Sequence, residues 1–218
     1  MFATDIDLLV IEPSLFAEVG WSGQRTVAAA GTLSGTTLTL ASADLVAAGV
    51  EAGCVVLMNG VPLEVVSRTS ATVLSVSLVR WGRTGPAIPP VGLTSGACEV
   101  YTFRPQTALA HRVVLRLLGL SEATPVPTVS GSDGTALGES AMVNSADAAM
   151  FEALVALHTI YASAGALAPA GSGLATKAEQ YRRRAGAERA RLSALIDTNG
   201  DGLADATRRP GVMPLIRG

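Results

Sequence analysis

Aromatic residues are scarce in this chain. Four phenylalanines, three tyrosines and two tryptophans make up 4% of 218 residues, although nearly half the sequence is hydrophobic. Alanine supplies much of that apolar content, and it buries little area per residue. A core built this way gains less from burial than an aromatic-rich one, so further burial against other subunits would help it. Cysteine is limited to Cys54 and Cys98, with no C-x-x-C spacing, which excludes a dense disulfide framework. Both lie in or beside apolar, strand-like runs and read as buried free thiols. The two histidines, His111 and His158, fall on separate helical patterns with no H-E-x-x-H between them, so no zinc-protease site is written here. The G-x-S-x-G elbow, the P-loop and the strand–G-x-G-x-x-G–helix unit are absent too. GSGLATK at 171–177 lacks the P-loop spacing. No carboxylate pair stands out as an acid–base couple, and the chain reads as a non-enzyme.

Charge is nearly balanced. The net value is −2, so the chain as a whole is no general nucleic-acid binder. Residues 1–100 carry 4 basic and 8 acidic side chains, and residues 101–218 carry 12 and 10. No apolar run approaches the roughly 18–20 residues that span a membrane. The first ten residues hold Asp5 and Asp7 and no basic residue, unlike a signal peptide. A soluble protein made in a cytoplasm, with no membrane partner, is expected.

Present instead are two textures in series. Residues 24–30, 36–40, 54–58, 61–68, 72–80 and 98–103 read as short strands, with turns at Gly31–Gly35 and at Asn59-Gly60. The pair Asn59-Gly60 tolerates positive φ at both positions and marks a two-residue hairpin. Leu74, Val76, Leu78 and Arg80 would share a face if the register is unbroken. Before the strands, 7–11 reads as a short helix or arm, and Trp21 as a core or interface anchor. Residues 81–94 read as a long loop.

At 102–120 the pattern changes. Pro105 suits a first helical turn. Leu109, Val113 and Leu117 recur every fourth residue, widened by Val114 and Leu118, with Arg112 and Arg116 as a polar stripe and Gly119 as the stop. This helix reads as nearly all-round apolar and in need of cover. Further helices are expected over 144–161 and 174–196. The fold class expected is α+β: a small N-terminal β-barrel or sandwich (1–103), then a bundle of about three helices (104–120 and 141–196). Residues 121–140 read as a linker or extended arm. Residues 197–218 read as an Asp-rich loop and an apolar tail.

Three stretches could carry chemistry. The first is Asp197-Thr-Asn199-Gly-Asp201-Gly-Leu203-Ala-Asp205. Oxygen ligands at alternate positions with glycine in sixth place match the first half of an EF-hand loop. Candidate calcium ligands are Asp197, Asn199, Asp201, the Leu203 carbonyl and Asp205. Arg208 stands where that loop places a glutamate, and the alternative is an Asx-rich turn without metal. No other cofactor is required. The second is the basic run at 181–191, where Arg182, Arg183, Arg184, Arg189 and Arg191 could meet an acidic partner or DNA phosphates. The alternative is a solvated face with Glu179 pairing to Arg183. The third is the tail, in which Leu215, Ile216 and Arg217 could dock on a partner.

An acidic N-terminal D-x-D-L-L-x-x-E-P-x-L-F segment (5–16), a Thr-rich β module, a helix begun by Pro105-Gln106 and a helical C-terminal half together resemble head–tail connector proteins of tailed bacteriophages. The resemblance implies a structural virion protein of the neck, assembled in the host cytoplasm. It implies a homo-oligomeric ring of about twelve subunits below the portal protein. Such a ring docks tail or stopper proteins and lets double-stranded DNA pass with non-specific contacts. Helical adaptors of this kind do not usually carry so large a β insertion, which leaves stopper and tail-terminator roles open. From another class, the calcium loop suggests a calcium-stabilised β binding module.

Overall fold

A computed structural model describes residues 1–80, 84–122, 137–169 and 171–211. The chain is α+β and divides into two compact units. One is Thr4–Arg104; the other joins Met1–Ala3 to Pro105–Gly218.

The first unit opens with two short helices, α1 (Asp5–Ile11) and α2 (Leu15–Val19). Thr4 caps α1: its backbone N–H and its hydroxyl both donate to Asp7 Oδ2, at 2.6 and 2.9 Å. Six strands follow: β1 (Gln24–Ser34), β2 (Thr37–Leu40), β3 (Val55–Met58), β4 (Val61–Arg68), β5 (Val73–Ser77) and β6 (Ser95–Thr102). They close into an antiparallel barrel in the order β1-β2-β5-β4-β3-β6, and β6 returns to pair with β1. Closure leaves no sheet edge open. The alternation in TLTL places Leu38 and Leu40 inside and the threonines outside. They meet Val56, Met58, Leu63, Leu74 and Val76 in one apolar core. The β3–β4 hairpin turns at Asn59-Gly60, with φ of 51° and 80°.

Several expectations needed correction here. Gly31 is not in a turn; β1 runs straight through it, and the chain reverses at Gly35. A Cβ at Gly31 would lie 2.5 Å from Cys98 Sγ and 2.9 Å from Leu40 Cδ2, so this glycine permits close wall packing instead. The register along 72–80 does not continue. The strand ends at Ser77, which is buried and whose hydroxyl takes the Ile88 N–H at 2.8 Å. Trp21 is 55% exposed and donates its indole N–H to the Glu18 carbonyl, so it is no core anchor. Cys54 and Cys98 are both buried free thiols.

Asp5 sits buried at the start of α1 and accepts the Phe103 N–H at 2.9 Å. Burial pushes its carboxyl from 3.8 up to about 6, against the lowering pull of Phe103, Thr102 and Arg104. A folded-state pKa above the unfolded one favours the protonated folded form. Stability from this group is therefore fully present below about pH 4 and is lost as pH rises through 6. The displacement corresponds to at most about 3 kcal/mol. We expect Asp5→Asn to gain on the wild type by up to that amount between pH 4 and pH 7 in urea titrations. A constant gap across that range would show that Asp5 is ionised without penalty.

The second unit contains α3 (Arg104–Leu118, from Pro105 onward), α4 (Ser145–Leu167), α5 (Leu174–Arg191), and a two-stranded sheet of β7 (Ala194–Ile196) and β8 (Ala206–Arg208). The helices α4 and α5 pack as a hairpin: Tyr161 and Tyr181 stack at 5.6 Å, and His158 donates to the Ala178 carbonyl at 3.0 Å. Gly119 has φ of +66° and ends α3, and Arg208 Nη1 donates to the freed carbonyls of Leu118 and Gly119 at 3.1 and 2.7 Å. By length and composition α4 could cross a membrane, contrary to the expectation that no run comes close; half of that stretch is buried inside the protein.

Two helical expectations are corrected. The last helix stops at Arg191, not Ile196. Residues 194–196 pair with 206–208, burying Ala194 and Ile196 and turning Leu195 outward, so the period there is two. Asn144 holds that strand to the start of α4: its Oδ1 accepts the Leu195 N–H at 2.7 Å and its Nδ2 donates to the Ser193 carbonyl at 2.8 Å. Nor is α3 apolar all round. Its buried face is Thr107, Ala110, His111, Val114, Leu115 and Leu118, while Leu109 and Val113 face solvent. Most of the predicted arm at 121–140 and the tail from 212 onward lie outside the described residues.

Candidate functional site

The most polar construction inside the helical unit centres on Glu152. It lies in the N-terminal half of α4 among alanines and leucines and has no exposed surface. A carboxylate in such a place has to be paired. Its Oε1 accepts the backbone N–H groups of Phe2 and Ala3, at 3.1 and 3.0 Å. Its Oε2 lies 2.8 Å from His111 Nδ1 on α3. The other ring nitrogen, Nε2, lies 3.2 Å from Glu139 Oε2. Glu139 Oε1 in turn takes the Met1 ammonium at 2.6 Å. The Phe2 ring stands edge-on to the imidazole, with centroids 4.9 Å apart. One line of polar contacts, buried at Glu152 and His111 and partly exposed at Glu139, thus ties residues 1–3 to α3, to α4 and to the short 3-10 turn Glu139–Ala141.

Beside this line is an open hollow of about 590 Å³, walled by Met1, Phe2, Glu122, Glu139, Ser140, Met142, Ser145 and Ala146. Burial raises the Glu139 carboxyl, but the Met1 ammonium and His111 outweigh it and hold it below the usual carboxylate range. Glu122 pairs with Arg112 at 3.1 Å. Both imidazole nitrogens already face carboxylates, so neither is free to deprotonate a hydroxyl or a water. The arrangement is suited to fastening backbone rather than to nucleophilic chemistry.

The sequence-predicted residues lie elsewhere in this unit. Asp197, Asn199, Asp201, Leu203 and Asp205 form the loop between β7 and β8. Asp197 accepts N–H bonds from Asn199, Gly200 and Gly202, at 3.1, 2.6 and 2.7 Å, and the Gly202 and Gly200 contacts hold its carboxyl below the usual range. Asp205 Oδ2 takes the N–H and the hydroxyl of Thr198, and Asp201 Oδ1 takes the Leu203 N–H. The side chains thus spend their oxygens within the loop, on its backbone N–H groups, on the Thr198 hydroxyl and on the Asn199 amide. Among the described residues no three His, Cys, Asp or Glu side chains are grouped to hold a metal ion. On α5, Arg182 and Arg183 both clasp Glu179, Arg184 lies over the Tyr181 ring at 5.4 Å, and Arg191 lies 3.9 Å from Glu188. Arg189 borders Gly211. Leu215, Ile216 and Arg217 lie outside the described residues.

No family model matches this chain, and no curated protein or solved structure matches it.

Sequence reading missed the Glu152–His111 pair. A signal existed: one acid beyond the first turn of an apolar helix and one histidine on another helix. Each alone looks like an ordinary helix residue, and nothing in the sequence says that the two meet.

Proposed function

We propose that this chain is a structural connector of a tailed-phage neck, forming a ring at the portal exit through which double-stranded DNA passes. Its place is then the virion. The plan of an acidic N-terminal helix, a β module and a helical C-terminal half supports the reading. The observation that carries it is on α3: Leu109 and Val113, 49% and 38% exposed, form an apolar strip beside the stripe of Arg112 and Arg116. An exposed apolar strip bordered by charged side chains is what a subunit interface buries. We read α3, α4 and α5 as a three-helix bundle, because His111 of α3 reaches Glu152 of α4 within hydrogen-bond distance. On α5, Arg183 and Arg191 project outward, with side chains 77% and 78% exposed. Contacts from them to DNA would be independent of base sequence and weakened by salt.

Mass photometry and negative-stain microscopy test this, on the full chain alone and with a portal protein. The expected result is a closed ring in one or both preparations. Leu109→Asp is expected to abolish it while leaving the helical content unchanged. A monomer in both preparations would sink the connector reading.

A further inference from the structure

The line Glu152–His111–Glu139 does more than fill space. A neutral imidazole has one N–H and one lone pair; an imidazolium has two N–H groups. Here both nitrogens face carboxylate oxygens, at 2.8 and 3.2 Å. Only the imidazolium donates to both. We propose that His111 is a proton-operated latch, which in its doubly protonated form fastens the turn Glu139–Ala141 to α3 and opens that turn when the ring loses one proton.

The two carboxylates are unequal, and this sets which contact opens. Glu152 has no exposed surface and also holds the N–H groups of Phe2 and Ala3. Leaving it facing a lone pair would strand a buried charge, which is costly. Glu139 is about a third exposed and can turn to water. The proton that leaves on raising the pH is therefore the one on Nε2. Nδ1 keeps its hydrogen and its bond to Glu152 Oε2. The Nε2 lone pair then faces Glu139 Oε2, and repulsion replaces attraction.

The remaining charges around the ring are consistent with this order. The Met1 ammonium pulls on Glu139 Oε1, and the Arg112–Glu122 pair flanks the same hollow. From α4 the only charge on the ring is Glu152 itself, and from the N-terminal segment the Phe2 ring covers it edge-on. Glu139, Ser140 and Met142 wall the hollow of about 590 Å³. Opening the turn would widen that hollow and free the Glu139 carboxylate from the ring, leaving the Met1 ammonium as its charged partner, while residues 1–3 stay attached through Glu152. The latch is independent of the connector reading: it concerns the helical unit of a single chain.

Nitrogen NMR on the full chain, combined with amide exchange, tests it from about pH 5 to about pH 9. His158→Gln leaves His111 as the only imidazole to be read. At low pH both ring nitrogens are expected to carry hydrogen; at high pH only Nδ1. Across that step, exchange at Ala141 and Met142 should rise at least tenfold beyond the intrinsic effect of base, while Phe2 and Ala3 change less than threefold. In His111→Gln, which can still donate to one carboxylate but cannot titrate, the step should vanish with the helices intact by circular dichroism. A single neutral tautomer throughout would overturn the proposal. So would an Nε2–H tautomer at high pH, or the same exchange step in His111→Gln.

Discussion

Glu64→Ala is expected to destabilise the barrel unit by about 3–5 kcal/mol. Glu64 lies on β4, between Val55 of β3 and Ser77 of β5, and only 5% of its side chain is exposed. Arg80 grips it with two parallel bonds, Nη2 to Oε1 at 2.6 Å and Nε to Oε2 at 3.1 Å, and is itself 8% exposed. The same guanidinium donates from Nη1 to the Gly85 carbonyl. Removing the carboxylate leaves that buried charge with only the Gly85 carbonyl to meet it and no counter-ion, and this is the costly half of breaking a buried pair. Replacing both, as in Glu64→Met with Arg80→Met, should return most of the loss, because apolar groups of similar size need no partner. Urea unfolding followed by far-ultraviolet circular dichroism reads both variants. A single-variant loss below about 1 kcal/mol would place the pair with ordinary solvated surface bridges.

The second large effect is expected at Glu152. Truncation to alanine orphans the Phe2 and Ala3 N–H groups and the His111 N–H together. The Ala3 and His111 donors are buried and the Phe2 donor partly so; each left unmade costs about 1–3 kcal/mol, so about 3–9 kcal/mol is expected in all. Glu152→Gln keeps an oxygen for the two backbone donors and should lose less than half as much. Amide exchange at Ala3 separates this from general unfolding: it should become unprotected in the alanine variant before the α4–α5 hairpin opens. The two units need not unfold together, so one transition must not be assigned to the whole chain. Equal losses in the alanine and glutamine variants would mean that packing, not hydrogen bonding, makes Glu152 matter.

Local chemistry explains which parts were readable in advance. Asn59-Gly60 forms its hairpin because both residues adopt positive φ, a property of those two residues and no others nearby. The run at 61–68 is β4 residue for residue, and Gly119 ends α3 where a left-handed position was anticipated. The misreadings share a cause as well. Gly31 looks like a turn residue until Cys98 and Leu40 are seen to crowd it from across the wall. The run at 192–196 looks like more helix until 206–208 and Asn144 supply a strand partner and a staple. On α3 the apolar repeat Leu109–Val113 reads as part of a nearly all-round apolar surface in need of cover, yet these two face solvent and the helix turns His111 inward, where the buried Glu152 carboxylate lies within hydrogen-bond distance.

Periodicity, turn residues and composition were thus enough for an α+β chain with a strand-rich first half and a helical second. Those are short-range properties, set by backbone sterics and by the alternation of apolar side chains. Barrel closure, the inward face of α3 and the Glu152–His111–Glu139 line were settled by folding itself. Each depends on groups from about 28 to 150 residues apart meeting in the core, where an unpaired charge is too costly to leave alone.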